Sequence, residues 1–396
     1  MDKLRRLIVK SKLCYYLICI AFLIHGGLVS LCCLVMRIFP IKKNKIVCCN
    51  MKGKRYGDNP KYIVDEIIRQ KLDYEIIWLM KDEFDADLPQ EVRKGKYNFF
   101  SIIYHLATAK FWIDSNTKQY GLLKRKNQYY IQTWHGSYGL KKIFGDLSDK
   151  MNFFDKKNLN HNSKIEDLLI SNSKATTEIY RRAFWYQGEI LECGSPRNDI
   201  FYEDKEIYIK KIKDFFRLKD VKIVLYAPTY RSDYSTTEMH LNFERLLQAL
   251  NRKFGSEWVI LVRLHPYNMV DAEKFIHYTD RILNATDYNV MQELLVASDI
   301  LISDYSSCIF DFVTGGKTCF LYATDVEKYK DERDFYFDIQ KLPFPLAESN
   351  DELEHNILTF DAKQYQIKLK QLFEQVGLCD NGNACKQVVE WIVRHT

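Results

Sequence analysis

Two histidines stand where apolar, strand-like runs end. The first lies in Tyr129-Tyr-Ile-Gln-Thr-Trp-His135-Gly-Ser and the second in Trp258-Val-Ile-Leu-Val-Arg-Leu-His265-Pro. Imidazole titrates near neutrality, so His135 is a candidate general base for an acceptor hydroxyl. Gly136 beside it lets a ligand approach the backbone closely. Arg263 and His265 fall on one face of an extended segment, because side chains alternate there, and Pro266 ends the strand. Two cationic donors at that spacing suit a diphosphate. A third run, Asp299-Ile-Leu-Ile-Ser-Asp304-Tyr-Ser306-Ser307, ends in hydroxyls and leads into a helix near Ile309. A helix N-terminus carries free N–H groups and partial positive charge, to which Ser306 and Ser307 add donors; Ser307 also fits a plain helix cap. Gly194-Ser-Pro-Arg197-Asn198-Asp199 and Ala227-Pro-Thr229-Tyr-Arg231 each place an arginine in a proline-fixed loop after a strand. Ligands of open α/β sheets bind outside the carboxyl ends of the strands. These polar strand ends together predict one phosphate-handling site.

The elements that must position these residues alternate. Ile46–Cys49, Tyr74–Leu79, Phe111–Asp114, Tyr129–Gln132, Leu168–Ser171 and Glu189–Cys193 read as strands, with helical spacing over 62–70 and 176–184. A charged helical stretch over 203–219 separates the halves. A second unit follows, with strands at Lys222–Ala227, Trp258–Val262, Ile300–Ser303 and Cys319–Tyr322. Its helices are expected at 241–254, 290–297 and 309–313, with three more at 351–358, 363–376 and 384–393. Alternation of this kind predicts parallel sheets covered by helices on both faces. The expected architecture is α/β, two Rossmann-like doubly wound domains facing a cleft, which is the GT-B layout. Residues 45–202 would form the first domain, on the acceptor side, and 203–396 the second, on the donor side.

Composition narrows the function classes. The 396 residues are 47% hydrophobic and 28% charged, an ordinary globular balance with room for two domains. A net charge of +6 is too small to mark a dedicated nucleic-acid binder. The eleven cysteines are scattered without zinc-like spacing and read as reduced residues of a cytosolic protein. No metal site is expected. Asp85-Ala-Asp87 matches the D-x-D of metal-dependent sugar transferases but sits in an acidic, proline-ended stretch that reads as a solvated loop. The mixed run Lys330–Asp334 is expected to be exposed, at the border of the site. There is no P-loop, no G-x-G-x-x-G and no G-x-S-x-G.

Leu13 to Met36 contains no Asp, Glu, Lys or Arg and is flanked by basic residues on both sides. That length can span a bilayer, and no signal cleavage site follows. His25-Gly26-Gly27 divides the run, which predicts a re-entrant or interface-lying hairpin with its basic flanks on anionic lipid, against the competing reading of a buried N-terminal helix pair. Residues 1–44 are therefore expected to form a membrane-associating helical segment.

Taken in order, Trp134-His-Gly-Ser137, Gly194-Ser-Pro-Arg-Asn-Asp199, Ala227-Pro-Thr-Tyr-Arg231, Arg263-Leu-His-Pro266, Asp304-Tyr-Ser-Ser307 and Phe310-Asp-Phe312 resemble the CDP-glycerol glycerophosphotransferase family, which primes and polymerises teichoic acids and related capsular polymers. The resemblance covers residues 45–340. It implies a GT-B fold and transfer of a polyol phosphate from a CDP-linked donor to an acceptor hydroxyl, with release of CMP. Under it His135 is the base, and Arg263 and His265 stabilise or protonate the leaving phosphate. Ser306 and Ser307 hold the diphosphate and Asp304 orients a neighbour. Gly136, Ser137, Arg197, Asn198, Thr229 and Arg231 are further candidates for substrate contact. The partners implied are CDP-glycerol or CDP-ribitol, a lipid-linked or polymeric acceptor, and the cytoplasmic face of the membrane, with no nucleic acid. No cofactor is implied with certainty, and a divalent-metal requirement stays open.

Two departures from the family pattern stand out. Ser137-Tyr138-Gly139 replaces the usual Thr-Pro after the first His-Gly, keeping a hydroxyl while shifting acceptor geometry. Ser303 replaces a common Thr. Little sequence lies beyond the catalytic unit, which tilts the expectation toward a primase-like or capsule-specific enzyme. Three other readings compete: a ribitol-phosphate transferase, a GT-B glycosyltransferase using a nucleotide sugar, and a membrane-tethered binding protein with a degenerate site.

Overall fold

A computed structural model describes residues 12–84, 87–136, 139–229, 240–264, 276–332 and 334–396. Two parallel sheets organise them. The first has seven strands in the order β3-β2-β1-β4-β5-β6-β7: β1 (Lys42–Cys49), β2 (Glu75–Met80), β3 (Val92–Lys96), β4 (Ala109–Asp114), β5 (Tyr129–Gln132), β6 (Leu168–Ser171) and β7 (Glu189–Glu192). The second has six in the order β10-β9-β8-β11-β12-β13: β8 (Lys222–Tyr226), β9 (Trp258–Val262), β10 (Ile282–Asn284), β11 (Ile300–Ser303), β12 (Thr318–Tyr322) and β13 (Leu346–Ala347). The central strands are buried on both faces, which is why they read as continuous apolar runs rather than alternating ones.

Each sheet reverses its strand order once. The first does so between β1 and β4, the second between β8 and β11. Crevices at such switch points are where doubly wound sheets bind ligands.

Helices cover both faces of the first sheet. Helix α1 (Lys12–Val35) and α3 (Phe99–Thr108) close one face, where Val29 and Cys33 pack with Val47, Ile77 and Trp112. Helix α2 (Asp58–Arg69) closes the other, starting earlier than its apolar spacing announces because Pro60 is tolerated in a first helical turn. Helix α1 runs unbroken through Gly26 and Gly27, so the expected hairpin is not formed. Two glycines cost a helix about 1 kcal/mol each, too little to break one that packs along its length.

Three more helices, α4 (Phe153–Ile165), α5 (Lys174–Ala183) and α6 (Lys205–Phe215), lead to the second unit. There α7 (Phe243–Phe254), α8 (Met291–Ala297), α9 (Cys308–Thr314) and α10 (Val326–Glu332) alternate with strands, followed by α11 (Asn350–Leu358) and α12 (Ala362–Val376). The chain then returns. Helix α13 (Ala384–Arg394) buries Val388, Val389, Trp391 and Ile392 in the core of the first sheet, beside Ile63, Ile67 and Trp78. The return passes Gly194, whose φ of +99° favours glycine and where a Cβ would lie 3.0 Å from the Asp380 backbone. None of the eleven cysteines is in a disulfide.

Candidate active site

His135 stands over the switch point of the first sheet. The Ser115 hydroxyl at the end of β4 donates to Asn50 Oδ1 at the end of β1 (2.7 Å), tying the two diverging strands together. The Ser115 carbonyl lies 2.8 Å from His135 Nδ1. A carbonyl only accepts, so Nδ1 carries the hydrogen, and in the neutral ring Nε2 keeps the lone pair. His135 is half-buried. Burial draws its pKa below the ordinary histidine value, against the opposing pull of Asp58 and the Ser115 carbonyl. The ring is therefore neutral at pH 7, with one nitrogen fixed as donor and the other available as base.

The loop holding this ring is strained and pinned. Trp134 has φ +52° and packs its ring 4.0 Å from the imidazole. Gln132 Oε1 accepts from the Trp134 N–H (2.9 Å), and Asn59 Nδ2 donates to the Thr133 and Trp134 carbonyls (3.2 and 3.1 Å). Asn59 Oδ1 accepts from the Arg197 N–H (3.0 Å), joining this loop to the Gly194–Asp199 turn. Gly136 follows, its carbonyl accepting from the Tyr180 hydroxyl (3.2 Å).

Arg197 is committed to protein partners. Nη1 bonds Asp58 Oδ1 and the His135 carbonyl, both at 2.8 Å, and Nη2 pairs with Asp311 Oδ2 at 2.8 Å. Burial by itself would lower the pKa of this guanidinium, but Asp311 and Asp58 more than reverse that and keep it charged. Asp58 belongs to the first turn of α2 and Asp311 to α9, so Arg197 bridges the two halves beneath His135. Asn198 donates to Asp380 Oδ1 (3.2 Å) on the returning chain. Both residues act visibly as ties.

The second switch point is built in the same way from different groups. The Ser303 hydroxyl donates to the Ala227 carbonyl (2.7 Å), and Asp304 Oδ1 accepts the N–H groups of Thr229 (2.8 Å) and Tyr305 (2.6 Å). Asp304 is buried and holds the Ala227–Thr229 turn against β11. Ser306 and Ser307 are half-buried at the entrance to α9. Ser307 occupies the cap position with αR backbone angles and makes no capping bond through its side chain; Ser306 Oγ accepts from the Cys308 N–H at 3.4 Å.

Arg263 leaves β9 half-buried, its Nη1 donating to the Ala285 and Tyr288 carbonyls (3.1 and 2.5 Å). Burial pulls its pKa down to about 9, and the like charge of Arg55 adds to the effect; Cys308 at the start of α9 is close enough to oppose it. Arg55, from the loop after β1, is itself lowered by burial, with Asp287 opposing. The like charge of Arg55, from the other half, is thus felt at Arg263, which favours an anion nearby. His265, Arg231 and Ser137 lie outside the described residues, as does Asp85.

The loop Lys52-Gly-Lys-Arg55-Tyr-Gly-Asp58-Asn59-Pro60 supplies three of these groups and was not singled out from sequence. The signal was present: a basic, glycine-bearing loop at the end of an apolar strand, the pattern used for the other five. Asp334, which ends the mixed-charge run, pairs with Lys142 (2.5 Å), and the Tyr336 N–H bonds the Leu140 carbonyl (2.7 Å), so this segment flanks the His135 loop from the other half. Among the described residues no cluster of three His, Cys, Asp or Glu side chains can hold a metal ion.

A family model for CDP-glycerol:poly(glycerophosphate) glycerophosphotransferase matches residues 31–394. The chain belongs to this family. Among curated relatives of this glycerophosphotransferase family, it is 33% identical to the teichoic acid poly(glycerol phosphate) polymerase of Staphylococcus epidermidis, over 89% of this chain and 51% of that one. It is 32% identical to the teichoic acid glycerol-phosphate transferase of Staphylococcus aureus, over 89% and 93% respectively. The chain thus spans about half the length of the first relative and nearly all of the second. A solved structure of the wall teichoic acid polymerase TagF superposes with a TM-score of 0.80 at 28% identity, covering 97% of this chain and 98% of the solved one. The UDP-GlcNAc 2-epimerase of Methanocaldococcus jannaschii, at 12% identity and a TM-score of 0.53, shares the fold alone. The GT-B architecture expected from the sequence is consistent with these neighbours, and family members are enzymes.

Proposed function

We propose that this chain transfers glycerol phosphate from CDP-glycerol to a hydroxyl of a membrane-linked acceptor, releasing CMP, in teichoic acid or capsular polymer synthesis. The observation that carries the reading is the imidazole of His135, held neutral with Nε2 as the basic nitrogen at one switch point, opposite the cations and hydroxyls of the other. The acceptor oxygen attacks the phosphorus next to the glycerol. Its proton passes to His135 Nε2, the bond from phosphorus to the bridging oxygen breaks, and that oxygen leaves with CMP. Charge develops on the phosphoryl oxygens and the leaving group, so positioning and electrostatic stabilisation dominate the catalysis. Arg263, with His265, stabilises or protonates the leaving phosphate. Ser306 and Ser307 hold the diphosphate, and Asp304 fixes the turn bearing Thr229. Gly136, Ser137 and Arg231 are further candidates for acceptor and phosphate contact. The first sheet serves the acceptor and the second the donor.

The donor is a cytosolic nucleotide and the acceptor a polymer growing on a lipid, which places the reaction at the cytoplasmic face of the membrane. Glycerol is preferred over ribitol because the glycerol-phosphate relatives, at 28–33% identity, reach higher than the ribitol-phosphate relatives, at 26–29%, although the two ranges overlap. The test is CMP release by the purified chain from CDP-glycerol and from CDP-ribitol, with a membrane extract as acceptor source. Acceptor-dependent CMP from CDP-glycerol is the expected result. CMP from CDP-ribitol alone would change the donor. A nucleoside diphosphate released from a UDP- or GDP-sugar, with no CMP from either, would replace phosphotransfer with glycosyl transfer.

A further inference from the structure

Asp58 begins α2 at φ +59°, in the left-handed region that few side chains other than aspartate, asparagine and glycine enter. Its Oδ1 accepts from the Asn59 N–H (2.8 Å) and from Arg197 Nη1 (2.8 Å). The same Nη1 donates to the His135 carbonyl at 2.8 Å, so a single nitrogen stands between this carboxylate and the peptide of the proposed base. Arg197 Nη2 pairs with Asp311 Oδ2 at 2.8 Å, which divides the guanidinium charge and leaves Asp58 only partly offset. Arg197 Nε is buried and meets no acceptor among the described residues. A strained backbone angle and an unsatisfied buried donor both cost stability, and both are retained directly beside His135.

The charged and titratable groups around the His135 loop come from several elements. Helix α2 supplies Asp58, the Gly194–Asp199 turn supplies Arg197, and the end of β4 supplies Asp114, itself partnered by Lys118. The Tyr180 hydroxyl of α5 bonds the Gly136 carbonyl and stays neutral, because burial pushes its pKa up. Lys142 and Asp334 pair with each other at 2.5 Å. Burial lowers the pKa of the His135 ring. Asp58 is the largest influence raising it, ahead of the Ser115 carbonyl and Asp114, while Arg197 opposes. A neutral base that becomes a cation in the transition state is stabilised by a negative charge already fixed in place.

We propose that Asp58 is the positioning residue of the base: through Arg197 Nη1 it fixes the His135 peptide, and its carboxylate is the counter-charge against which the imidazolium forms. The acceptor oxygen's lone pair makes the bond to phosphorus, and the Nε2 lone pair takes the proton. The electrons of the bridging P–O bond leave with CMP, and Asp58 keeps its charge throughout. This rests on the reading of His135 as base and adds to it the residue that sets the strength of that base.

The test is Asp58→Asn in the full chain. Asparagine tolerates this φ and keeps an oxygen to accept from Asn59 and Arg197, so the charge alone is lost. Two readouts are taken: kcat and KM for CMP release from CDP-glycerol across pH, and the titration of the His135 ring by NMR, assigned with His135→Gln. The expected kcat is at least about tenfold lower, with the KM for CDP-glycerol within about twofold of the parent's. The ring and the acid limb of the rate should both titrate at lower pH than in the parent. A carboxylate that only braces the turn would lower the melting temperature and leave the ring titration unchanged, and that outcome overturns the inference. If Asp58→Asn does not fold, Asp311→Asn leaves Arg197 to Asp58 alone and offsets its charge more fully. The ring should again titrate lower, and an unchanged titration there overturns the inference equally. A shifted ring in a chain that releases no CMP from CDP-glycerol or CDP-ribitol would count against the proposed reaction and leave the coupling of Asp58 to His135 standing.

Discussion

At the switch point of the first sheet the polar groups bond one another, whereas at the second Ser306 and Ser307 stay part-exposed at the entrance to α9. Around His135, Asn50 and Ser115 bridge the strands, Asn59 and Gln132 pin a loop with φ of +52° at Trp134, and Arg197 is paired with two carboxylates. Around Ser306, Ser303 and Asp304 hold two turns, while Ser306 and Ser307 are half-buried and Arg263 Nη1 donates to two carbonyls. The lesson is a division of labour. A base works only in one tautomer and one orientation, so its loop is over-determined. A phosphate site needs donors left unspent, so its groups are held from behind.

Breaking the first half of this comparison should have the largest effects. His135→Ala removes the proposed base and is expected to lower CMP release about 10²–10⁴-fold. Melting should be close to that of the parent, since the network around the loop runs through backbone carbonyls. An unchanged rate would remove His135 from the chemistry. Arg197→Ala leaves Asp58 and Asp311 buried without their cation, and urea unfolding should report a loss of about 3–5 kcal/mol. Asp304→Ala tests the second half: it strips the acceptor from two N–H groups and should cost about 1–3 kcal/mol, with CMP release falling as the Thr229 turn loosens. Ser306→Ala, which removes one proposed phosphate donor and no structural tie beyond a 3.4 Å contact, should raise the KM for CDP-glycerol several-fold without changing the melting temperature.

The smallest effect sharpens the comparison through pH. The folded pKa of His135 lies below its unfolded value of about 6.5, so the unfolded chain binds more protons as the pH drops. The stability this group contributes is complete above pH 6.5 and is lost as the pH falls through the folded value. The acid limb of CMP release should likewise lie below pH 6.5, and His135→Ala should abolish that limb. A limb at or above 6.5 would mean that another group controls the rate.

Much of this arrangement was legible in the sequence because buried parallel strands are unmistakable apolar runs: β1, β2, β8, β9, β11 and β12 stand where they were expected. The edge strand β3 was missed because Val-Arg-Lys-Gly-Lys buries only two of its five residues. Helix α4 was missed because its apolar residues form no clear stripe, and α3 because it is apolar all round. In the site, residues were legible wherever an apolar run ended in a histidine, serine or proline turn. Arg55, Asp58 and Asn59 were not, because their role depends on loops that are distant in sequence. The bridging role of Arg197 was equally hidden: an arginine in a turn reads as a free cation until Asp311, 114 positions later (311 − 197), is placed beside it.

Helix α13 carries a consequence for synthesis. The core of the first sheet is finished by Trp391, whose Nε1 donates to Glu189 (3.0 Å), and by Asp199, which accepts the N–H groups of Ala384 and Cys385. The earliest-made half of the protein therefore waits on the ribosome with an open apolar face until residues 384–394 have been translated. A ribosome stalled after the second sheet would therefore leave an unfinished first domain.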